Sequence, residues 1–451
     1  MFIDSITVRI VSNCFEAMGS GKVNELFVRR SEGRFEPARQ DYATISYSFL
    51  DFHTFVTYNL PVDEILYQFN PWWETPFKPN AIRARPRYEA RVRDEMSEKR
   101  AVLLTGLRRV GKTSLMKRLV AQLIQEGTSA QDVLYVSLDD YLLRDNSIID
   151  IVSAFRKIHK HSVDRTVYLF LDEIAFKADF QQQLKNLVDN RNTVIVASSS
   201  SATILADQRG LMTGRTATVE VQPLSLDEYL RFRGLSVKRR DRGLLESYFR
   251  DYMRDGGMPE NVLQPSREYL MSLVDDIIQK DITAFHGIRD ARVAQDFFTL
   301  LMERSGKQVS INKVARILDI APDTARRYLG YFRDAYLVHL VPRSGKTNER
   351  LLSPKKLYAC DLGIQHLFIG DRDPGSYFEN YVYHLLRPHG GLHYVYEDGV
   401  EIDFRTHDGL LIECTFNGDL SKGQREYLER QPEDKTIVVD SVAALEKLPT
   451  D

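Results

Sequence analysis

The run Gly106-Leu107-Arg108-Arg109-Val110-Gly111-Lys112-Thr113 constrains this chain more than any other feature. It follows an apolar strand candidate, Ala101–Thr105, and precedes a helical stretch, Ser114 to residue 125. Strand, glycine-rich turn and helix in that order make a phosphate cradle. The glycines let the loop curl until its backbone N–H groups converge, and the helix behind adds the positive end of its dipole. Gly106, Leu107, Arg108, Arg109, Val110, Gly111, Lys112, Thr113 and Ser114 are therefore expected to contact ATP. Lys112 bridges the β- and γ-phosphates in this reading, and the Thr113 hydroxyl ligates Mg²⁺.

A second apolar strand candidate, residues 166–171, delivers Asp172 and Glu173 at its C-terminal end, the side on which open α/β sheets bind ligands. Asp172 is expected to hold Mg²⁺ through water, and Glu173 to polarise the attacking water. Two adjacent acids argue for hydrolysis rather than simple binding. One strand candidate, residues 133–138, lies between the two motifs, as in ATPases that place the magnesium acid one strand away from the loop in space. The next, Thr193–Ser198, runs into a series of serines, of which Ser199 is the expected γ-phosphate sensor. Arg215 precedes a last strand candidate at 217–221. It reads either as an arginine finger for its own or a neighbouring subunit, or as an ordinary salt-bridged arginine.

Apolar runs alternating with helical stretches over residues 100–221 predict a parallel sheet with crossover helices. Helices are expected to start near Lys112, Ser147 and Phe176, and Ser225 to cap a helix over residues 227–233. The organisation that follows is an accessory segment at 1–64, with strand candidates at 6–11 and 43–47, and a P-loop ATPase domain at 65–225. A helical connector at 226–290, a helix-turn-helix unit at 291–343 and a final unit of short strands at 344–451 complete it. Trp72 and Trp73 read as core anchors, with adenine stacking as the alternative.

A formal charge of −2 gives no global attraction to nucleic acid, so any DNA contact has to come from a local patch. Cys14, Cys360 and Cys414 form neither a zinc nor a disulfide pattern. No uninterrupted apolar run reaches the roughly 18–20 residues of a membrane span. A cytoplasmic chain with no membrane contact is expected.

The local patch is legible in the helix-turn-helix unit. Residues 311–318 and 322–334 read as two helices around a tight turn, with Val314, Leu318, Ala325, Leu329 and Phe332 as their shared core. Arg326, Arg327 and Arg333 are left outward, placed for DNA phosphates or guanine edges. Packing against protein is the alternative.

Residues 104–113, Leu171-Asp172-Glu173-Ile174, Gly214-Arg215 and Pro223-Leu224-Ser225 resemble the AAA-type ATPases widespread in archaea and bacteria. Gly256-Gly257-Met258-Pro259-Glu260, Lys280-Asp281-Ile282 and residues 355–363 continue the likeness, which spans about residues 66–415. It implies an α/β fold: a P-loop parallel sheet with flanking helices, followed by a winged helix and a small α/β nuclease-like domain. It implies no settled substrate. Within that likeness, Glu379, Asp403 and Glu413 resemble a restriction-endonuclease-like core, where such acids and a Glu-x-Lys pair meet around Mg²⁺. Residues 413 and 415 share one face of a strand, yet Thr415 stands where the lysine should be. Lys422, on a following helix, is a substitute that nothing in the sequence places.

DNA cleavage is therefore not expected, although the three acids can keep a metal or nucleic-acid contact. The sequence predicts a Mg²⁺-dependent ATPase that acts as a conformational switch on DNA or a protein partner, with homo-oligomerisation open. Two other readings stand beside it: a metal-dependent DNA nuclease regulated by ATP, and a nucleotide-binding scaffold with negligible turnover.

Overall fold

The computed structural model describes residues 27–29, 35–37, 61–76, 82–98, 100–190, 192–200, 212, 214–238, 243–288 and 290–449. The chain divides into two units, Met1–Leu60 and Pro61–Asp451. In the first, β1 (Phe27–Arg29) pairs antiparallel with β2 (Phe35–Pro37). The strand candidates at 6–11 and 43–47, and Cys14, lie outside the described residues.

The second unit is organised by five parallel strands: β3 (Ala101–Thr105), β4 (Val133–Ser137), β5 (Val167–Asp172), β6 (Thr193–Ser198) and β7 (Thr216–Glu220). A parallel sheet covered on both faces needs near-continuous apolar strands, and β3 is buried at every position. The order is β4-β5-β6-β3-β7. Because β6 enters between β3 and β5, the acids after β5 stand one strand away from the loop after β3.

The helix Lys112–Gln125 starts as Gly111 turns through φ +101°, and it buries Leu115, Met116, Leu119 and Val120 along one face. Ser147 and Ser225 cap the helices Ile148–Ile158 and Leu226–Phe232 by reciprocal capping boxes. The third crossover helix starts at Phe180, later than the expected Phe176, which instead ends a short 3₁₀ turn, Ile174–Phe176.

The open edge of the sheet at β4 is covered from upstream. The Asn70 side-chain amide donates to Tyr135 O at 2.9 Å and accepts from Tyr135 N at 2.7 Å, standing in for a neighbouring strand. Both tryptophan N–H groups donate to Val133 O, at 3.2 Å from Trp72 and 3.0 Å from Trp73. Val133 begins β4, so the indoles lie at the sheet edge opposite the phosphate loop. That excludes adenine stacking and leaves the anchoring role.

Residues 226–290 are largely helical, and the stretch Ile277–Ala284 is π-helical. The helices Ala291–Met302, Ile311–Ile317 and Pro322–Asp334 follow. Val314, Ala325, Leu329 and Phe332 are buried in one apolar cluster with Leu104, Leu107 and Val110, and Leu318 packs against it. The helical unit is thus built onto the parallel sheet. A boundary at 343/344 would cut a second sheet, β8 (Lys307–Val309), β9 (Val338–Val341) and β10 (Lys355–Ala359), whose order is β8-β10-β9. The strand expected to open the final unit is instead the central strand here, because its backbone pairs with both neighbours.

The last sheet holds β11 (His393–Glu397), β12 (Val400–Arg405), β13 (Leu411–Cys414) and β14 (Thr436–Val439). It is antiparallel except for the β13–β14 pair. The helix Pro374–Leu386 lies against both β10 and β13. No described helix is long and apolar enough to cross a membrane.

Candidate nucleotide site

The loop after β3 has the backbone that its glycines allow. Gly106 sits at φ +126°, and a Cβ there would fall 2.2 Å from Val221 O, so a side chain would collide with backbone. Lys112 is buried, and its ammonium donates to Gly106 O at 2.9 Å and Leu107 O at 3.1 Å. Burial lowers its pKa, opposed by the carboxylates of Glu173 and Asp172. Two neutral carbonyls are weak compensation for a buried cation, so the ammonium favours an anion.

The acids at the end of β5 meet the loop. Asp172 is buried and accepts from Thr113 Oγ1 at 2.6 Å and Tyr135 Oη at 2.8 Å. It also accepts from Ser198 Oγ, which in turn accepts from Glu173 N at 3.0 Å. Glu173 adopts φ +50°, and its carboxylate accepts from Ser200 Oγ at 3.1 Å. Burial raises the Glu173 pKa, against the pull of Lys112. A carboxylate raised in this way is better matched to taking a proton near neutral pH. The paired Thr113 hydroxyl and Asp172 carboxylate form a donor set that suits Mg²⁺, an oxygen-seeking cation that keeps part of its water shell.

Ser199 is buried just after the strand end. Its backbone N–H donates to Leu104 O at 2.9 Å, while the hydroxyls that reach the acids are those of Ser198 and Ser200. Alternation along the strand end explains this, because neighbours at even spacing share a face. Of the two readings of Arg215, the salt-bridged arginine fits its pair with Asp189. Thr216 pairs with Ala101, so Arg215 lies at the strand edge opposite the phosphate loop. At about 3.3 Å per residue, the length of β3 separates them by roughly 15 Å. Arg215 pairs with Asp189 at 2.7 Å and cannot serve the γ-phosphate of its own subunit.

Two loop residues turn outward. Arg108 holds Asp281 through a two-pronged pair at 2.7 and 3.0 Å. Arg109, at φ +65°, reaches Glu260 at 3.9 Å and lies over the Tyr269 ring. Beside Gly111 and Ser114 opens a cavity of about 150 Å³ whose wall combines apolar Ile82, Val110, Leu115, Phe232, Pro259 and Leu263 with charged Arg83, Arg85, Glu89 and Arg118. These apolar positions are dispersed along the chain and carry no motif, so the sequence holds no local signal for the cavity.

The expected nuclease-like residues converge, but on a cation missed in the sequence. Lys356 of β10 lies 2.6 Å from Asp403 and 2.7 Å from both Glu379 and Glu401, with only 1% of its side chain exposed. Glu413 joins through Asp403 N at 3.0 Å and Gln424 Nε2. Burial opposes the charge of Lys356, yet Asp403, Glu379 and Glu401 together hold its pKa well above the usual value. Burial, reinforced by Asp403, pushes Glu379 up to about 8 and Glu413 up to about 10. Thr415 turns away to Gly418 O at 2.6 Å, and Lys422 is 91% exposed beside Glu426. Among the described residues, no group of three or more His, Cys, Asp or Glu side chains is arranged to hold a metal ion. The signal for Lys356 was a lysine at an inward position of an apolar strand, with Lys355 facing outward.

On the helix Pro322–Asp334, Arg326, Arg327 and Arg333 are all exposed. Arg326 pairs with Asp323, Arg333 with Asp334 at 2.9 Å, and Arg327 reaches Thr324 Oγ1 at 3.4 Å.

Residues 98–230 match a family model described as an AAA domain, and residues 246–374 match a domain of unknown function (DUF8612). The first match falls on the five-stranded parallel sheet and the phosphate loop. An uncharacterized protein of Methanocaldococcus jannaschii is 27% identical over 362 residues, covering 75% of this chain and 80% of that one. An uncharacterized protein of Haemophilus influenzae is 24% identical, covering 67% and 78%. Among solved structures, a Signal Transduction ATPase with Numerous Domains (STAND) protein from Pyrococcus horikoshii overlaps at TM-score 0.26 and 14% identity, covering 69% and 46%.

Proposed function

We propose that this chain hydrolyses ATP and uses the nucleotide cycle to reposition the units built onto its parallel sheet. The observation that carries the reading is the buried Lys112 ammonium, held by two neutral carbonyls and facing the Asp172–Glu173 pair. In this reading Lys112 leaves the carbonyls for the β- and γ-phosphates, while the loop N–H groups of residues 107–114 surround the β-phosphate. Thr113 and, through water, Asp172 would hold Mg²⁺, which supplies positive charge to the phosphate oxygens. Glu173, oriented by Ser200, takes the proton of the attacking water. The cavity beside Gly111 accepts the base.

We assign residues 65–225 to the nucleotide site, 226–290 to the connector and 291–343 to a winged helix that meets DNA or a protein and shares its sheet with strand β10 of the following unit. Residues 344–451 act as a nuclease-like fold without cleavage, since Lys356 already satisfies its acids. Arg215 meets a phosphate only across a homo-oligomer. The scaffold reading is disfavoured by a carboxylate tuned for proton transfer.

The test is steady-state phosphate release with and without duplex DNA. Turnover that disappears in Lys112→Ala and Glu173→Gln supports the reading. An inactive parent protein that still binds ATP returns the scaffold, and Mn²⁺-dependent plasmid nicking lost in Asp403→Ala returns the nuclease.

A further inference from the structure

With Arg215 at the far edge of its own sheet, the site needs another cation for the charge on the terminal phosphate. Arg108 stands two residues after Gly106, inside the cradle itself. Its side chain is 34% exposed, and Nε and Nη2 donate two parallel hydrogen bonds to the Asp281 carboxylate. A guanidinium fork fits carboxylate and phosphate with the same planar geometry. The charge of Arg108 also reaches both Lys112 and Glu173, and that of Asp281 reaches Lys112, which places the pair at the phosphate end of the site.

Asp281 belongs to an unusual element. The stretch Ile277–Ala284 is π-helical, a form that is rare over a full eight residues and recurs at functional sites. Its inner face, Ile277, Ile278 and Ile282, is buried in the same apolar cluster as Leu107 and Val110 of the loop and Ala294, Phe297 and Phe298 of the next helix. The ion pair is therefore a polar link between the phosphate loop and the π-helical stretch of the connector, which leads into the helix-turn-helix unit.

We propose that Arg108 is a terminal-phosphate sensor held in reserve by Asp281, and that ATP takes the guanidinium and frees the π-helical stretch. The exchange rests on the ATP reading above and adds its regulation. ADP lacks the γ-phosphate, so it leaves the Arg108–Asp281 pair intact. The connector then senses which nucleotide is bound, and Asp281 competes with ATP for one cation.

The test uses the full chain, titrated with fluorescent N-methylanthraniloyl ATP and ADP in Mg²⁺ with Glu173→Gln as background. Arg108→Ala should weaken ATP about 10- to 100-fold, the range for losing charge-assisted hydrogen bonds, and leave ADP within about twofold. Asp281→Asn, which removes the competitor, should tighten ATP several-fold with ADP unchanged. Hydrogen exchange over residues 277–302 should increase with ATP in the parent and be already high without nucleotide in Asp281→Asn. A parent that binds neither nucleotide overturns both readings. A parent that binds ATP, beside variants that keep its ATP-to-ADP ratio, overturns the exchange alone.

Discussion

Of the three lysines buried among the described residues, Lys112 and Lys356 make the sharpest contrast. Lys112 rests on the carbonyl oxygens of its own loop, whereas Lys356 is surrounded by Asp403, Glu379 and Glu401. Both lie near clustered acids, and burial works against the charge of each. The balance then differs in sign: the pKa of Lys112 is lowered, and that of Lys356 is raised well above the ordinary value. An under-compensated ammonium gains by meeting a phosphate, while an over-compensated one has nothing to gain from a ligand. In the proposed reading a lysine among acids is thus a phosphate ligand in one place and a structural tie in the other.

The widest separation between the two is expected in turnover. Lys112→Met should lower phosphate release at least about 100-fold, the usual loss when one positioned donor is removed from a transition state. Lys356→Met should leave nucleotide affinity at the parent value. A large loss of turnover in folded Lys356→Met protein would erase the contrast. Stability should respond the opposite way. Removing Lys356 leaves buried carboxylates facing one another, a change that costs about 3–5 kcal/mol where one partner of a buried pair is deleted. Urea midpoints of the two variants measure it, with Lys112→Met expected close to the parent.

A pH series sharpens the same contrast. Glu379 and Glu413 are raised in the folded chain to about 8 and about 10. A carboxyl with a raised folded pKa contributes stability that is full below its unfolded value near about 4.3 and is lost as pH rises through the folded one. The C-terminal unit should therefore weaken as pH rises from about 4.3 to about 10, and Glu413→Gln should flatten the urea midpoints over that range. Glu173 is raised as well, but there the consequence is catalytic: turnover falls on acidification at a higher pH than an ordinary carboxylate would give. A stability profile that is flat in the parent would remove the raised pKa values of Glu379 and Glu413.

What could be read in the sequence follows from the range of each interaction. The cradle, the acids after β5 and the strand positions were legible because each is encoded within about ten adjacent residues with a required local geometry. The Arg215 placement was not, since strand polarity becomes visible only once β7 pairs with β3. Ser198 and Ser199 look alike in the sequence, because four adjacent serines give no sign of which faces the acids. Lys356 lies 47 residues from Asp403 and on a different sheet, so no spacing rule could join them. Thr415 stood where the resemblance implies a lysine, and only folding shows Lys356 among the same acids.

The smallest expected effect concerns the helix Pro322–Asp334, where the contrast between satisfied and unsatisfied cations returns at the surface. Arg326 and Arg333 are paired with neighbouring aspartates, but all these side chains are exposed except the partly covered Asp334. Exposed pairs of this kind contribute little and exchange readily for another anion, so pairing does not disqualify these arginines as Lys356 is disqualified. If they meet DNA, removing one arginine–phosphate pair should reduce the salt slope of binding by about one. The Arg326→Ala/Arg327→Ala protein should then bind duplex more weakly, roughly uniformly across sequences, with a slope shallower by about two. The same affinity at every salt concentration, with unchanged folding, would assign this helix face to protein packing and make the second class of partner the target of the switch.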